Sequence, residues 1–309
     1  MQNMITVKNL VKEFKLKNNT ITAVDNINFS INKGEKVAFI GPNGAGKSTT
    51  IKMLSGILYP SSGKVSVCGY TPSTQRQKLS YQIGTVFGQR SQLWVHLPVL
   101  DSYKVLASLY DIEKDIFKKR LDQLLNIFSL QEIAKQRVKE LSLGQRMKCE
   151  IVASLLHSPK VLFLDEPSIG LDATAKKSIR ELINHYAQEE KKTILLTSHD
   201  TDDIEMVCDR IILINSGKIV IDKSIEAFKE KYIRRKYLSI EYKKEVSDSV
   251  FKNFKIISNE KNIITIEYDS KKQTIKEILE LIDNDLPIKD INISNPSLES
   301  IILDIYQEK

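Results

Sequence analysis

The chain has 309 residues, 41% of them hydrophobic and 28% charged, a balance ordinary for globular proteins and a length beyond one typical domain. No apolar run approaches the roughly 18 residues needed to cross a bilayer, Met1 to Ile5 lacks a secretory pattern, and the isolated Cys68, Cys149 and Cys208 suit reduced thiols without metal-ligand spacing. These features argue against a membrane-spanning or disulfide-built protein and predict a soluble, cytoplasmic chain of two domains. The net charge of +7 suits nucleotides, anionic lipid or nucleic acid and selects none of them.

The alternating segment from Ile5 to Phe14 predicts a strand. The apolar run Ala38 to Ile40 then enters Gly41-Pro42-Asn43-Gly44-Ala45-Gly46-Lys47-Ser48-Thr49, which fits the pattern G-x-x-x-x-G-K-S/T and opens a helix near Lys47. Free N–H groups of such a turn surround phosphates at the positive end of the helix, with Lys47 reaching the β- and γ-phosphates and the Ser48 hydroxyl on Mg²⁺. The chain is therefore read as a binder of nucleoside triphosphate.

Further along, Gln89 follows the apolar run Ile83 to Phe87, and the periodicity turns helical over Val99 to Tyr110 and Asp115 to Phe128. Ser142, ahead of Leu143, Gly144 and Gln145, reads as a helix N-cap with an anion site in its orphan N–H groups. Val161 to Leu164 is a buried strand ending on Asp165 and Glu166, whose adjacent side chains should point to opposite sides. Thr193 to Thr197 and Ile211 to Ile214 are strands of the same kind, the first ending at His199 and the second at a hairpin over Asn215, Ser216 and Gly217. Alternating strands and helices predict a mainly parallel sheet wrapped by helices. His96, His157 and His185 are scattered and receive no chemistry.

In this order, the phosphate loop, Gln89, Leu141 to Gln145, Val161 to Pro167, Ser168 to Asp172 and His199 resemble the phosphate loop, Q-loop, signature motif, second Walker motif, D-loop and switch histidine of an ATP-binding cassette (ABC) ATPase, over about residues 1–228. The resemblance implies an α/β phosphate-loop cassette: a mainly parallel sheet, N-terminal antiparallel strands and a helical subdomain over about residues 97–157. Asp165, Ser48 and Gln89 would hold Mg²⁺, Glu166 would polarise the attacking water, and His199 would donate to the γ-phosphate and to Glu166, a division of labour that suits phosphoryl transfer. ATP would lie on Gly41 to Thr49, and Phe14 stands where the family usually stacks a tyrosine on adenine. Phe14 reads equally as a core residue of an antiparallel sheet; as a stacking ring it adds little base selectivity and leaves GTP usable.

The resemblance further implies that Ser142, Gly144, Gln145 and Asp172 complete the site of a second cassette, so that two chains sandwich two ATP molecules head to tail. The chain holds one cassette, and its partner is a second copy or a related subunit. Leu143 occupies a position where the family usually has glycine.

After Ser224 the composition shifts. Lys229 to Lys236 is a basic junction that reads as a solvated helix in preference to a lipid-binding patch; alternating strands Tyr237 to Tyr242 and Ile263 to Tyr268, a helix from Thr274 to Ile282 and a short strand at Ile288 to Ile293 follow. The final helix is expected to start with Asn295 as cap and Pro296 at its first position. Residues 229–309 thus predict a small α+β accessory domain, with a regulatory, dimer-supporting or purely stabilising role.

The segment Arg90 to Pro98 holds the single tryptophan beside Leu93, Val95 and Leu97. Trp94 reads as a partner surface or as core between subdomains. Val86 to Trp94, Leu141 to Lys148 and Asn295 to Glu299 together look like the ATPases of ABC-2-type exporters, particularly the drug or viologen group. The resemblance then implies an ATPase subunit peripheral on the inner face of the cell membrane, partnered by ABC-2-type transmembrane subunits and not by nucleic acid. A non-transport ABC ATPase acting on nucleic acid or ribosomes is the rival; its usual tandem cassettes, coiled-coil insertion or metal-binding cysteines are missing. A phosphate-loop kinase leaves the signature motif unexplained.

Overall fold

The computed structural model describes residues 2–15, 19–88, 90–232, 235–244, 251–252, 254–260, 262–270, 272–282 and 287–307. They form two compact units, Met1–Ile225 and Glu226–Lys309.

The first unit opens with the long strands β1 (Asn3–Lys15) and β2 (Thr20–Asn32), followed by β3 (Lys36–Ile40), α1 (Lys47–Leu54), β4 (Ser62–Val67), α2 (Arg76–Ser80) and β5 (Ile83–Phe87). Helices α3 (Val99–Leu109), α4 (Lys114–Phe128) and α5 (Leu143–Leu155) come next. They lead to β6 (Val161–Asp165), α6 (Ala173–Glu190), β7 (Thr193–Thr197), α7 (Thr201–Val207), β8 (Arg210–Asn215) and β9 (Lys218–Ser224); α8 (Ile225–Tyr232) starts on the last residue of this unit and otherwise belongs to the second.

Two sheets result. Strands β2, β1 and β4 pair antiparallel in that order. A six-stranded sheet runs β5-β6-β7-β3-β8-β9, parallel through β8 with β9 antiparallel at the edge. Parallel strands covered on both faces need continuous apolar runs, and β6 and β7 supply them: Val161 to Leu164 and Thr193 to Thr197 are all buried. Ile5, Leu10, Phe29 and Val67 of the small sheet, Ile51 and Leu54 of α1, and Phe39, Phe163 and Ile212 of the large sheet share one core.

The carboxyl ends of the adjacent strands β6, β7 and β3 deliver Asp165, Thr197 and Gly41 to the same edge, the place where open α/β sheets bind ligands. The β8–β9 hairpin turns through Ser216 and Gly217 at φ 47° and 79°, matching right-handed strand twist as expected at Asn215-Ser216-Gly217. In the helical segment, fully buried Tyr103 donates to the Cys149 carbonyl at 3.0 Å and ties α3 to α5.

In the second unit β10 (Arg235–Tyr242), β11 (Lys255–Glu260), β12 (Ile263–Asp269), α9 (Ile275–Leu281), β13 (Ile288–Ser294) and α10 (Leu298–Gln307) follow. The four-stranded antiparallel sheet runs β11-β12-β10-β13. Alternate residues Leu238, Ile240 and Tyr242 meet Ile264, Ile266, Tyr268 and Ile278 in its core.

Three expectations change here. The basic junction is not one helix: α8 stops at Tyr232, β10 starts at Arg235, and Ile233 and Arg234 lie outside the described residues. The final helix begins two residues late. Ser297 is its cap, accepting from the Ser300 N–H at 3.2 Å, because a serine caps as well as Asn295 and lies nearer the apolar run. Strand β11 was not foreseen, since Lys255-Ile256-Ile257-Ser258-Asn259-Glu260 sits on a sheet edge without clean alternation.

Candidate active site

The loop from Gly41 to Gly46 leaves buried β3 and turns directly into α1. Gly46 is the N-cap residue of α1 at φ 106°, and a Cβ there would lie 2.5 Å from the Ala23 carbonyl oxygen, so both conformation and space require glycine. Lys47 is 5% exposed, and its Nζ donates to the carbonyls of Gly41 at 2.7 Å and Pro42 at 3.1 Å. Burial lowers its pKa, while the charges of Glu166 and Asp165 act in the opposite direction.

Beside the loop, Asp165 Oδ1 accepts from Thr197 Oγ1 at 2.6 Å and from Ser48 Oγ at 3.2 Å. Glu166 lies just beyond β6 at φ 54°, and its N–H donates to the Thr197 carbonyl at 3.0 Å and to Oγ1 at 3.1 Å. The two carboxylates take different partners on the same cavity, and Glu166 adopts a left-handed conformation in place of the strand pleating expected there. Glu166 Oε1 meets His199 Nε2 at 2.9 Å.

A cavity of about 490 Å³ opens over these groups, lined by Asn43, Ser48, Asp165, Glu166 and His199 together with Arg90 and Ile169. Gln89 lies outside the described residues. Gly88, absent from the sequence reading, donates its N–H to the Asp165 carbonyl at 2.9 Å; a Cβ there would come within 2.3 Å of the Glu166 carbonyl oxygen. Glycine is therefore what lets the chain pass against the carboxylate turn. Arg90 is a second missed member, a cation at the rim of the same cavity.

Among the described residues, Phe14, Ser142, Gly144, Gln145 and Asp172 do not line this cavity. Phe14 is 38% exposed with Lys12 Nζ 5.0 Å from its ring centroid, which removes the core reading. Among the described residues its strand partner is Ile21 of β2, and β4 pairing ends at Val11. Ser142 caps α5: its Oγ accepts from the Gln145 N–H at 3.2 Å, and Gln145 Oε1 accepts from the Ser142 N–H at 2.9 Å. Asp172 caps α6 through the Ala175 N–H at 2.9 Å, while Leu143 is 39% exposed.

Behind the site runs a buried charge network with no counterpart in the sequence reading. Asp203 of α7 accepts from Ser168 Oγ, from Ser198 Oγ at 2.6 Å and from Arg180 Nε of α6. Arg180 also pairs with Asp200 at 2.9 Å, and Lys176 holds the other Asp200 oxygen at 2.8 Å. Burial opposes the Arg180 charge, but its bonds to Asp203 and the nearby carboxylates outweigh it and raise the pKa. Ser168 precedes the loop ending at Asp172, and Ser198 precedes His199; one carboxylate thus fixes both segments.

After Arg90 in the chain, Ser91 and Gln92 are anchored by buried Glu150, which accepts from Ser91 Oγ and from the Gln92 N–H at 3.1 Å. Burial raises its pKa, and the bonds from Ser91 and Gln92 work against that shift. The anchored segment turns Leu93 inward at 5% exposure, correcting its placement on a partner surface, and leaves Trp94, Val95 and Leu97 at 41%, 42% and 38%. Trp94 is therefore not core.

Known proteins share this arrangement. The family profile described as ABC transporter matches residues 24–169. The ABC transporter ATP-binding protein NatA of Bacillus subtilis is 32% identical over 227 residues, covering 74% of this chain and 92% of that protein. The bacitracin transport ATP-binding protein BcrA of Bacillus licheniformis is 33% identical, covering 71% and 70%. The linearmycin resistance ATP-binding protein LnrL of Bacillus subtilis is 34% identical, covering 70% and 68%. Among solved structures, a dimeric ATP-binding cassette in a post-hydrolysis state with ADP and Pi superposes with TM-score 0.65 at 27% identity, covering 72% of this chain and 99% of that one. No helix among the described residues is long and apolar enough to cross a membrane. With the loop, the two carboxylates and the histidine on one sheet edge, and a relative 32% identical that is covered over 92% of its length, the chain belongs to the ABC transporter family as an ATP-hydrolysing cassette subunit.

Proposed function

We propose that this subunit drives export through separate ABC-2-type transmembrane subunits, working from the inner face of the cell membrane as one of two cassettes that close head to tail on ATP. The observation that carries the chemistry is the group Glu166, His199, Asp165 and Ser48 around one cavity at the phosphate loop. The resistance and bacitracin-transport relatives support export as the direction.

The Ser48 hydroxyl and the Asp165 carboxylate meet at 3.2 Å as hard oxygen donors, a pair suited to Mg²⁺ shared with phosphate oxygens. Ser48, Asp165 and Gln89 would hold that ion, which supplies charge neutralisation on the phosphates. Lys47 would exchange its carbonyl partners for the β- and γ-phosphates, and Gly41 to Thr49 would surround them with backbone N–H groups. Glu166 would take the proton side of the attacking water, and His199, held by Glu166, would donate to the γ-phosphate. Phe14 would present its exposed face to the adenine. Exposed Ser142 and Asp172, with half-buried Gly144 and Gln145, would complete the partner's site, and the Trp94 surface would receive the transmembrane subunit.

Glu166→Gln tests this assignment. Steady-state hydrolysis should be abolished while nucleotide affinity is retained, because the substitution removes the water-orienting charge and leaves the phosphate loop intact. Near-normal turnover would sink the role of Glu166.

A further inference from the structure

Glu166 and His199 leave different strands, and little around their side chains holds them. The His199 side chain is 46% exposed, and among the described residues its polar partner is the Glu166 carboxylate at 2.9 Å. The Thr197 carbonyl and hydroxyl tie the end of β7 to the Glu166 N–H. Beyond that tie each chain segment turns into its own loop, so the meeting of the two side chains depends on how those loops are fixed.

Both loops are bonded to one carboxylate. Asp203 Oδ2 accepts from Ser168 Oγ, two residues past Glu166, and from Ser198 Oγ at 2.6 Å, one residue before His199. The other Asp203 oxygen accepts from Arg180 Nε. The Ser198 hydroxyl in turn accepts from the Asp200 N–H at 3.0 Å, and Asp200 is held by Arg180 at 2.9 Å and Lys176 at 2.8 Å, so the backbone is fixed on both sides of His199. Ser168, Ser198, Asp203 and Arg180 are all buried. Hydrogen bonds to a carboxylate paired with a guanidinium, away from water, are the strong kind.

We propose that Asp203 is a positioning residue for ATP hydrolysis: its carboxylate clamps the loops after β6 and β7 so that Glu166 and His199 meet. This role rests on the proposed assignment of Glu166 and His199 to the chemistry. Asp203 is not among the described residues that line the nucleotide cavity, so its effect passes through Ser168 and Ser198. Reacting groups displaced by about 1 Å can lose roughly a hundredfold in rate. The phosphate loop, by contrast, is held by its own backbone and by α1, so loss of the clamp acts on kcat and not on the affinity for ATP.

The test uses the full chain carrying Ser168→Ala and Ser198→Ala, which releases both loops and leaves Asp203 paired with Arg180, so that no buried charge is stripped of its partner. Per nucleotide-binding chain, kcat should fall about tenfold or more while the KM for ATP stays within about twofold. A second readout needs no turnover: the ring resonances of the four histidines in isotope-labelled chain, with His199 identified by its loss in His199→Ala. With the clamp intact, Glu166→Gln should move the His199 signal; with both serines replaced, it should not. Unchanged kcat, a kcat loss matched by an equal loss of ATP affinity, or a His199 signal that responds to Glu166→Gln equally with and without the clamp would each overturn the proposal. Near-normal turnover of Glu166→Gln with the clamp intact would instead overturn the catalytic assignment, and the ring signal then still decides whether Asp203 holds the pair together.

Discussion

The catalytic edge and the signature edge of this cassette are built on opposite plans. Around Asp165, Glu166 and His199, partners come from distant segments and much of the supporting charge is buried: Asp203 is 2% exposed and Arg180 7%. Around Ser142 and Asp172, each side chain serves the helix that follows it, and Leu143 faces solvent. The first edge draws its described supports from within one chain. The second satisfies its own backbone and presents an outward face, as expected of a surface that acts on another molecule.

The largest expected effect breaks this comparison outright. Ser142→Arg and Lys47→Ala chains, each inactive alone, should recover ATPase activity when mixed, because one composite site of the mixed dimer keeps both wild-type halves. Hydrolysis by the wild-type chain alone should correspondingly rise more steeply than linearly with concentration. If mixed dimers form, as shown by sizing of the pair, and activity stays absent, the signature edge does not complete a partner's site.

The next effect is on stability and belongs to the catalytic edge. Asp203→Ala removes the acceptor of Ser168, Ser198 and Arg180 at once and leaves a buried guanidinium with part of its compensation gone. Breaking one side of a buried pair commonly costs about 3 kcal/mol or more, which denaturant unfolding of the full chain would register as a clear fall in midpoint. A loss comparable to that of an exposed ion pair, below about 1 kcal/mol, would show that the network is not a support.

The two edges also differ in how far the sequence revealed them. Gly41 to Thr49, Asp165, Glu166 and His199 were legible because chemistry and strand ends coincide in a few contiguous residues. Arg180 and Asp203 were not: each lies in an amphipathic helix, where a charge ordinarily marks the wet face, and only the packing of α6 against α7 shows them buried. Gly88 has no chemical signature of its own, since its reason lies in the turn of Glu166 passing beside it. The divergence of Asp165 and Glu166 was expected from strand alternation, which cannot reveal that the second residue turns left-handed. Phe14 shows the converse limit: alternation located the strand, but not that β1 outruns β4 and leaves the ring half covered. Hydrophobicity alone likewise could not tell Leu93, inside, from Trp94, outside.

The smallest expected effect sharpens the comparison by separating stability from function at one residue. Ser142→Ala deletes an N-cap whose hydroxyl accepts one backbone bond, and such losses cost about 1 kcal/mol. On the plan of the catalytic edge, activity and stability would fall together, because the same buried groups hold both. On the plan of the signature edge they should part: the unfolding midpoint should drop only slightly, while ATPase activity at saturating ATP should fall by much more than the lost folded fraction explains. The Gln145 backbone N–H would lose its side-chain acceptor, and the face offered to the second cassette would lose a hydroxyl along with the helix geometry that aims its N–H groups. Measuring both quantities on the same preparation decides the matter. Activity that merely tracks the folded fraction would make Ser142 an ordinary cap and confine the composite-site role to the Gly144 backbone and Asp172.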